Sequence, residues 1–200
     1  MIRKLIGVGC VLVLMAMAAP TWAGDCKGCQ TIAEGKDGFC HGKGRIFGVE
    51  LASQKLYDTL AGAAIDKTKL DCPGCKAAAK NDGWCDKCKL ALAGDRAFRS
   101  PYAHRIARGQ AVNVEVASKC AGCKAARDTN GFCTACNVGY VADRVFSDKE
   151  SYEQARDDRT TLQLASRTAT KCESCAVGLV TDGECERCKV RYKEGKPLEQ

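Results

Sequence analysis

Fifteen of the sixteen cysteines fall in four clusters that recur every 46 to 52 residues, and sulfur ligands at this spacing can hold metal ions. Three clusters share the pattern C-x2-C-x9-C-x2-C; they are Cys72, Cys75, Cys85 and Cys88, then Cys120, Cys123, Cys133 and Cys136, then Cys172, Cys175, Cys185 and Cys188. The first cluster differs, because Cys40 follows Cys26 and Cys29 after ten residues, and Lys43 stands where a fourth cysteine would be. A fixed period is typical of a repeat architecture.

Two C-x2-C pairs suit tetrahedral coordination, since each pair spans one edge of the tetrahedron and the turn between them brings the edges together. The pattern, with CPGCK as a knuckle, resembles the zinc-ribbon and zinc-knuckle class over about 17 residues of each unit. The resemblance implies a closed, structural site in each unit. About four zinc ions are therefore expected, and iron remains open because it would use the same thiolates.

The first cluster needs a fourth ligand, and His41 directly after Cys40 can supply it. If His41 does not bind, the first site has an open position, which is associated with catalysis or metal transfer. Disulfides are the competing interpretation, and export would favour them. They would leave one thiol over, because the mature chain would hold fifteen cysteines.

The first 23 residues have the layout of a secretory signal peptide. Arg3 and Lys4 precede an apolar stretch over residues 5–19, and Thr21 and Ala23 are the small residues of a cleavage site. Cleavage would release a chain without a later membrane-spanning segment. We therefore expect an exported protein in a periplasmic or extracellular space.

The elements around the clusters predict an α+β chain of four tandem units with short helices and β-hairpins. The units are bounded as residues 24–71, 72–119, 120–171 and 172–200, the last without a following helix. An Asx-Gly step precedes every third cysteine and supplies a positive φ for a tight turn. These steps are Asp37-Gly38, Asp82-Gly83, Asn130-Gly131 and Asp182-Gly183.

Helix signals recur between the clusters. Ser100-Pro101 and a capping box of Ser147 with Glu150 predict helix starts. One tyrosine in each helix is expected in the core, and three rings are expected as lids over the metal sites. The tyrosines are Tyr57, Tyr102 and Tyr152, and the rings are Phe39, Trp84 and Phe132.

Other expectations concern the spaces between units. Alternation in Val112, Val114 and Val116, and again in Leu162 and Leu164, predicts strands that lead into the next cysteine pair. His104 is interpreted as a solvated side chain. The small units are expected to be joined like beads, with limited contact between neighbours.

The net charge of +7 does not indicate nucleic-acid binding. It falls to +5 without the signal peptide, and four loaded centres would lower it to about −2, because each Zn-thiolate centre is negative. Lysines beside the cysteines offset this charge; they are Lys27, Lys76, Lys119, Lys124, Lys171 and Lys189.

The leading functional hypothesis is a non-enzymatic scaffold that binds a protein partner. A metal buffer or delivery protein, or a disulfide-stapled repeat protein, is the alternative. A thiol-disulfide enzyme carries less weight, because the short repeats leave no room for a thioredoxin-like domain.

Overall fold

The computed structural model describes residues 26–198, where helices and strands alternate in an order that repeats along the chain. The predicted signal peptide therefore lies outside the described residues. The described part contains eight α-helices: α1 Lys27–Ala33, α2 Gln54–Ala61, α3 Pro73–Lys80, α4 Pro101–Ala107, α5 Val114–Ser118, α6 Ala121–Thr129, α7 Lys149–Ala169 and α8 Glu173–Thr181. None of these helices is long and apolar enough to span a membrane.

Fourteen short strands in the same residues form four antiparallel sheets. The strands are β1 Gly38–Cys40, β2 Lys43–Ile46, β3 Val49–Leu51, β4 Ala63–Ala64, β5 Trp84–Cys85, β6 Leu90–Ala93, β7 Arg96–Phe98, β8 Gln110–Ala111, β9 Phe132–Cys133, β10 Val138–Val141, β11 Arg144–Phe146, β12 Glu184–Cys185, β13 Val190–Lys193 and β14 Lys196–Pro197. The sheet orders are β1-β2-β3, β4-β7-β6-β5, β8-β11-β10-β9 and β12-β13-β14. The mixed helix and sheet architecture with four cysteine clusters confirms the predicted α+β repeats.

A helix starts directly after the first cysteine of each cluster and ends at the Asx-Gly step in units 2 to 4. The alanine-rich sequence of α3 favours this helix, and Pro73 occupies its first turn without losing a hydrogen bond. Beyond the helix, Asp82 adopts φ +47° and the N–H of Gly83 donates to the carbonyl of Ala78. This is a Schellman ending in which the Asx residue, not the glycine, takes the left-handed conformation.

The same Asx side chain fixes the hairpin that follows. The Asp82 carboxylate accepts from the Gly94 N–H at 3.0 Å, and Asn130 Oδ1 accepts from the Ala142 N–H at 2.5 Å. Each Asx therefore joins the end of a helix to the tip of its hairpin, and so fixes the two halves of a cluster relative to each other.

Asp37 has the corresponding role in unit 1, where it accepts from the N–H of Phe47. Burial raises the pKa of this carboxyl to about 6, and the neighbouring Asp143 acts in the same direction. The guanidinium groups of Arg45 and Arg144 only partly oppose this rise.

Asp37→Asn should remove a pH dependence of stability. A carboxyl whose pKa is raised on folding contributes stability below its unfolded pKa near 4 and loses it as the pH rises through about 6. Between pH 5.5 and 8 the wild type should lose about 1 kcal/mol of unfolding free energy that the variant keeps. Denaturant titration across this range measures the difference; parallel pH profiles would contradict the assignment.

One hydrophobic core joins all four units, so the expectation of separate beads is wrong. It contains Leu56 of unit 1, Ile106 of unit 2, Leu162 of unit 3 and Val180 of unit 4, all fully buried. The 21-residue helix α7 lies at its centre and packs against α4, α8, β3 and β10. A small unit that cannot bury enough apolar surface alone gains it from its neighbours.

Polar contacts between the units also fix their arrangement. Arg105 of α4 forms a two-pronged ion pair with Asp158 of α7, with N···O distances of 2.7 and 2.6 Å. The Tyr102 hydroxyl donates to Asp182 at 2.6 Å, which links unit 2 to unit 4. The Ser53 hydroxyl donates to Glu173, which links unit 1 to unit 4.

The two predicted strands before cysteine pairs are helical instead. Asn113 caps α5 through the Val116 N–H, so Val114 and Val116 lie exposed on a short helix. Leu162 is buried with Ala155 and Ala165 at helical spacing along α7, whereas Leu164 is exposed. The alternation of Leu162 and Leu164 lies inside a longer helical pattern, and that longer pattern decides the structure.

Two smaller expectations are also corrected. His104 is buried rather than solvated, because its Nε2 contacts the carbonyl oxygens of Asp82 at 2.8 Å and Leu92 at 3.1 Å. Asp148 rather than Ser147 caps α7, through the Ser151 N–H. The predicted cap at Ser100 is confirmed, and Tyr102 and Tyr152 lie in the core as expected, with Tyr57 packed against it.

Candidate metal centres

The structure brings together the side chains of all four predicted ligand sets. In each set the four ligand atoms lie within 4.8 Å of one another. The sets are Cys26, Cys29, Cys40 and His41; Cys72, Cys75, Cys85 and Cys88; Cys120, Cys123, Cys133 and Cys136; and Cys172, Cys175, Cys185 and Cys188. The chain therefore holds four groups positioned to bind metal.

A helix start and a hairpin supply the two halves of each cluster in units 2 to 4. Cys72 precedes α3, and Cys75 lies in its first turn. Cys85 ends β5, Cys88 lies in the turn that follows, and Lys89 after it adopts φ +52° to enter β6. In unit 4 the N–H of Cys188 also donates to the Cys185 sulfur at 3.3 Å, as expected of a turn wrapped around a thiolate.

The sulfur separations in units 2 to 4 match a tetrahedral site. Four sulfurs at about 2.3 Å from a tetrahedral ion lie about 3.8 Å apart. The Sγ atoms of Cys72 and Cys85 are 3.8 Å apart, and those of Cys120 and Cys133 are 3.9 Å apart. All these separations exceed the S–S bond length of about 2.05 Å, so the arrangement fits a shared cation rather than pairs of disulfides.

The four ligands within a cluster differ in their exposure to solvent. The second and third cysteines are buried in units 2 to 4, and the fourth is exposed. The apolar shell around the inner sulfurs limits the access of water, and the exposed fourth cysteine leaves one edge open to solvent. This pattern recurs in three units, so it belongs to the repeat.

The first centre is less buried than the others, because its second and third cysteines are not buried. Its three cysteines are only half-buried and His41 is exposed. His41 adopts φ +50°, which turns its Nδ1 to 3.1 Å from the Cys40 sulfur and 3.3 Å from the Cys29 sulfur. Two neighbouring residues cannot easily bind one ion, and the left-handed backbone at His41 is what brings its ring beside the Cys40 sulfur. The Cys26 and Cys40 sulfurs are 3.1 Å apart, closer than the edge of a four-sulfur tetrahedron.

The helix start favours the charged form of the first cysteine in each cluster. The N–H of Cys75 hydrogen-bonds the Cys72 sulfur and lowers its pKa to about 7, and the Cys88 thiol acts in the same direction. The N–H of Cys123 does the same for Cys120. A thiolate is therefore available near neutral pH before any cation arrives.

Sequence reasoning missed a repeated glycine that lets the two halves approach. Gly28, Gly74 and Gly122 precede the second cysteine, and Ser174 stands there in unit 4. A Cβ on Gly74 would lie 2.8 Å from the Cys85 sulfur. The motif C-x-G-C in three units is the signal that would have identified this position.

Sequence reasoning also missed a tyrosine hydroxyl that hydrogen-bonds a ligand sulfur in two of the centres. Tyr140 of β10 hydrogen-bonds the Cys123 sulfur, and Tyr192 of β13 hydrogen-bonds the Cys175 sulfur. Burial, reinforced by this contact, raises the pKa of Tyr140 to about 12, so the hydroxyl keeps its proton and donates it to sulfur. The equivalent residue is Leu92 in unit 2 and Arg45 in unit 1.

Tyr140→Phe should loosen the third centre without changing the fold. The variant removes one hydrogen bond to a ligand sulfur, and such supporting contacts contribute about tenfold or more in metal affinity. A chromophoric chelator should therefore withdraw one of the bound ions about ten times faster. Tyr57→Phe, which removes a hydroxyl that contacts no ligand, is the control; equal release from both variants would contradict the role.

No known protein family, curated protein or solved structure matches this chain. What can be said of its function therefore comes from the geometry of the four centres and their surroundings.

The three rings predicted as lids over the metal sites differ from one another in their packing. Phe39 lies against Tyr57 with ring centroids 5.5 Å apart, and Phe132 lies against Tyr152 at 5.4 Å. Both rings connect a cluster to the helix of their own unit. Within residues 26–198 no aromatic ring packs against Trp84, which is 38% exposed, and Tyr102 of its unit donates to Asp182 instead.

Alanine variants at these equivalent positions should show that the packed ring of Phe132 stabilises the fold more than the exposed ring of Trp84 does. Phe132→Ala should cost about 2 kcal/mol of unfolding free energy, since it opens space beneath a buried tyrosine. Trp84→Ala should cost less than about 1 kcal/mol, because much of its ring already contacts water. Denaturant unfolding of the two variants measures both; an equal or larger loss for Trp84→Ala would show that its ring supports the fold.

Proposed function

We propose that this protein is an exported zinc-binding repeat protein that acts without catalysis, as a scaffold that presents a surface to a protein partner. The observation that carries the proposal is the spacing of the ligand atoms in four centres, three of which match the edges of a tetrahedron of thiolates. Zinc prefers this donor set and geometry, and when bound it would supply a rigid crosslink between helix and hairpin.

A structural role for the cations is supported by where the centres lie. In unit 4, Cys175 and Cys185 are buried beside α8, whose Leu179 and Val180 belong to the shared core. A cation that holds these thiolates in place would therefore also fix part of that core. Metal binding would then contribute directly to folding.

Export is supported by the charged start and apolar stretch of residues 1–23. Outside the cytoplasm, exposed thiols tend to oxidise, and coordination protects them. Zinc acquired on folding would therefore keep fifteen cysteines from pairing at random.

The groove around Trp84 supports a binding role. It lies between units 1, 2 and 4, and the apolar side chains of Leu90 and Val177 line it with the tryptophan. At the equivalent position of units 1 and 3, Phe39 and Phe132 pack against a tyrosine of the same unit. Trp84 is more exposed than a packing role requires. An exposed tryptophan in a groove is typical of a protein-binding surface.

The first centre favours a second candidate function, metal exchange. Its ligands are the least buried of the four sets and include the exposed His41. We propose that this centre exchanges its ion with solution while the other three keep theirs.

Cobalt substitution tests the function. Protein refolded with Co²⁺ should show the absorption of tetrahedral cobalt thiolate centres, with four ions bound, and addition of zinc should bleach it. A chelator of moderate affinity should remove the first ion while the fold is retained, and full chelation should unfold the chain. Octahedral cobalt spectra, or a fold indifferent to complete chelation, would overturn the structural role.

A further inference from the structure

A cavity of about 370 Å³ lies between unit 1 and unit 3, away from the ligand sulfurs. The hairpin tip of unit 1, the end of α6 and the middle of α7 enclose it. Three arginines line it: Arg45 of β2, Arg127 of α6 and Arg159 of α7. The metal centres do not use this cavity.

Two of these arginines have no carboxylate partner within ion-pair distance among the described residues. No hydrogen bond from the Arg45 side chain is found among the described residues, and its Nε is buried without an acceptor. Arg159 donates Nε to the Phe47 carbonyl at 3.1 Å and Nη2 to the Gly48 carbonyl at 3.0 Å, which leaves Nη1 free of protein acceptors. Both side chains are half-buried, and a buried guanidinium nitrogen without a partner is costly unless an anion joins it.

The two guanidinium groups also act on each other. Burial lowers the pKa of Arg159, and the charge of Arg45 lowers it further, so the two cations lie close enough to repel. Arg159 cannot turn away freely, since two carbonyls hold it. A pair of repelling cations is stabilised by an anion between them.

The carboxylates of the cavity do not neutralise this pair. Asp128 pairs with Arg127 at 3.2 Å, and Asp143 pairs with Arg144 at 3.5 Å. Asp37 accepts from the Phe47 N–H and forms no ion pair with either arginine. Lys36 pairs with Glu34, so Arg45 and Arg159 are the lining cations that have no carboxylate partner among the described residues.

We propose that this cavity binds a small oxyanion of the phosphate or sulfate type between Arg45 and Arg159. The Arg45 guanidinium and the free Nη1 of Arg159 can donate to separate oxygens of such an anion, and the prior anchoring of Arg159 lowers the entropic cost of binding. The anion would join unit 1 to unit 3 and so reinforce the shared core. This site is independent of the metal centres and of the proposed scaffold function.

Isothermal titration of the metal-loaded protein with inorganic phosphate, and separately with sulfate, tests the site. We expect saturable binding of one ion per chain and no competition from chloride at equal concentration. Arg45→Gln should lower the affinity at least tenfold, and it removes no hydrogen bond of the fold. Arg167→Gln, an exposed arginine on the same helix α7, should leave the affinity unchanged.

Asp37→Asn should change the phosphate affinity in the opposite direction. It removes a negative charge from the cavity wall while keeping an oxygen acceptor, so it should tighten phosphate binding several-fold. Native mass spectrometry checks that each variant keeps its metal ions, which excludes phosphate acting by extracting zinc. Absence of saturable binding to the wild type, equal binding by Arg45→Gln, or equal affinity for chloride would overturn the proposal.

Discussion

Cys185→Ser is expected to remove one metal ion and to destabilise the whole chain, not only the fourth unit. Cys185 is fully buried, and its cluster is built on α8, whose Leu179 and Val180 pack in the core shared by all units. Loss of one thiolate should disable this centre, at a cost on the order of 5 kcal/mol, because zinc binding and folding are coupled. Native mass spectrometry should count one ion fewer, and denaturant unfolding should show one transition at lower denaturant.

Cys26→Ser is the matched comparison, since it alters the half-buried first centre. It should also remove one ion but cost markedly less stability, because no buried residue lies in α1. A Cys185→Ser protein that unfolds in two steps, with units 1 to 3 unaffected, would show that the units behave as independent beads after all.

Asp158→Ala should cost about 3 kcal/mol of unfolding free energy. Asp158 is 2% exposed and holds Arg105 with two short bonds, so its removal leaves a partly buried guanidinium without a partner. Gln154 also loses an acceptor. The loss should be measured by denaturant unfolding at neutral pH, and the metal count should stay the same.

Asp157→Ala is the control for this variant. Its carboxylate lies next in sequence but pairs with Arg156 on the exposed face of α7, so its loss should change stability by less than about 0.5 kcal/mol. The double variant Arg105→Leu with Asp158→Leu should recover much of the lost stability, because it removes both charges together. Equal losses for the two aspartate variants would contradict a structural role for the ion pair.

The cysteine pattern was enough to locate the four clusters, because ligand spacing is a local property of the chain. The Asx-Gly steps of units 2 to 4 likewise mark turns with a positive φ at the Asx residue, whereas in unit 1 the positive φ before the third cysteine lies at Gly35. The Asx side chains have a further role that the sequence does not signal. The Asp82 carboxylate, for example, accepts a hydrogen bond from a hairpin tip twelve residues away, and this contact exists only in the folded chain.

The arrangement of the units could not be predicted in the same way. A repeat period indicates similar units but does not reveal whether they share a core. The buried stripe of α7 contains Tyr152, Ala155, Asp158 and Leu162, but the local alternation of Leu162 and Leu164 predicts a strand there. The burial of Asp158 gave the helix a polar residue on its inner face, and only its distant partner Arg105 explains it.

Native mass spectrometry of protein taken directly from the exported fraction tests the central claim most directly. It counts bound metal ions and oxidised thiols in the same measurement. The account predicts four ions per chain, with the fifteen cysteines of the mature protein free of disulfides. Masses without metal and lower by two hydrogens for every pair of cysteines would contradict it.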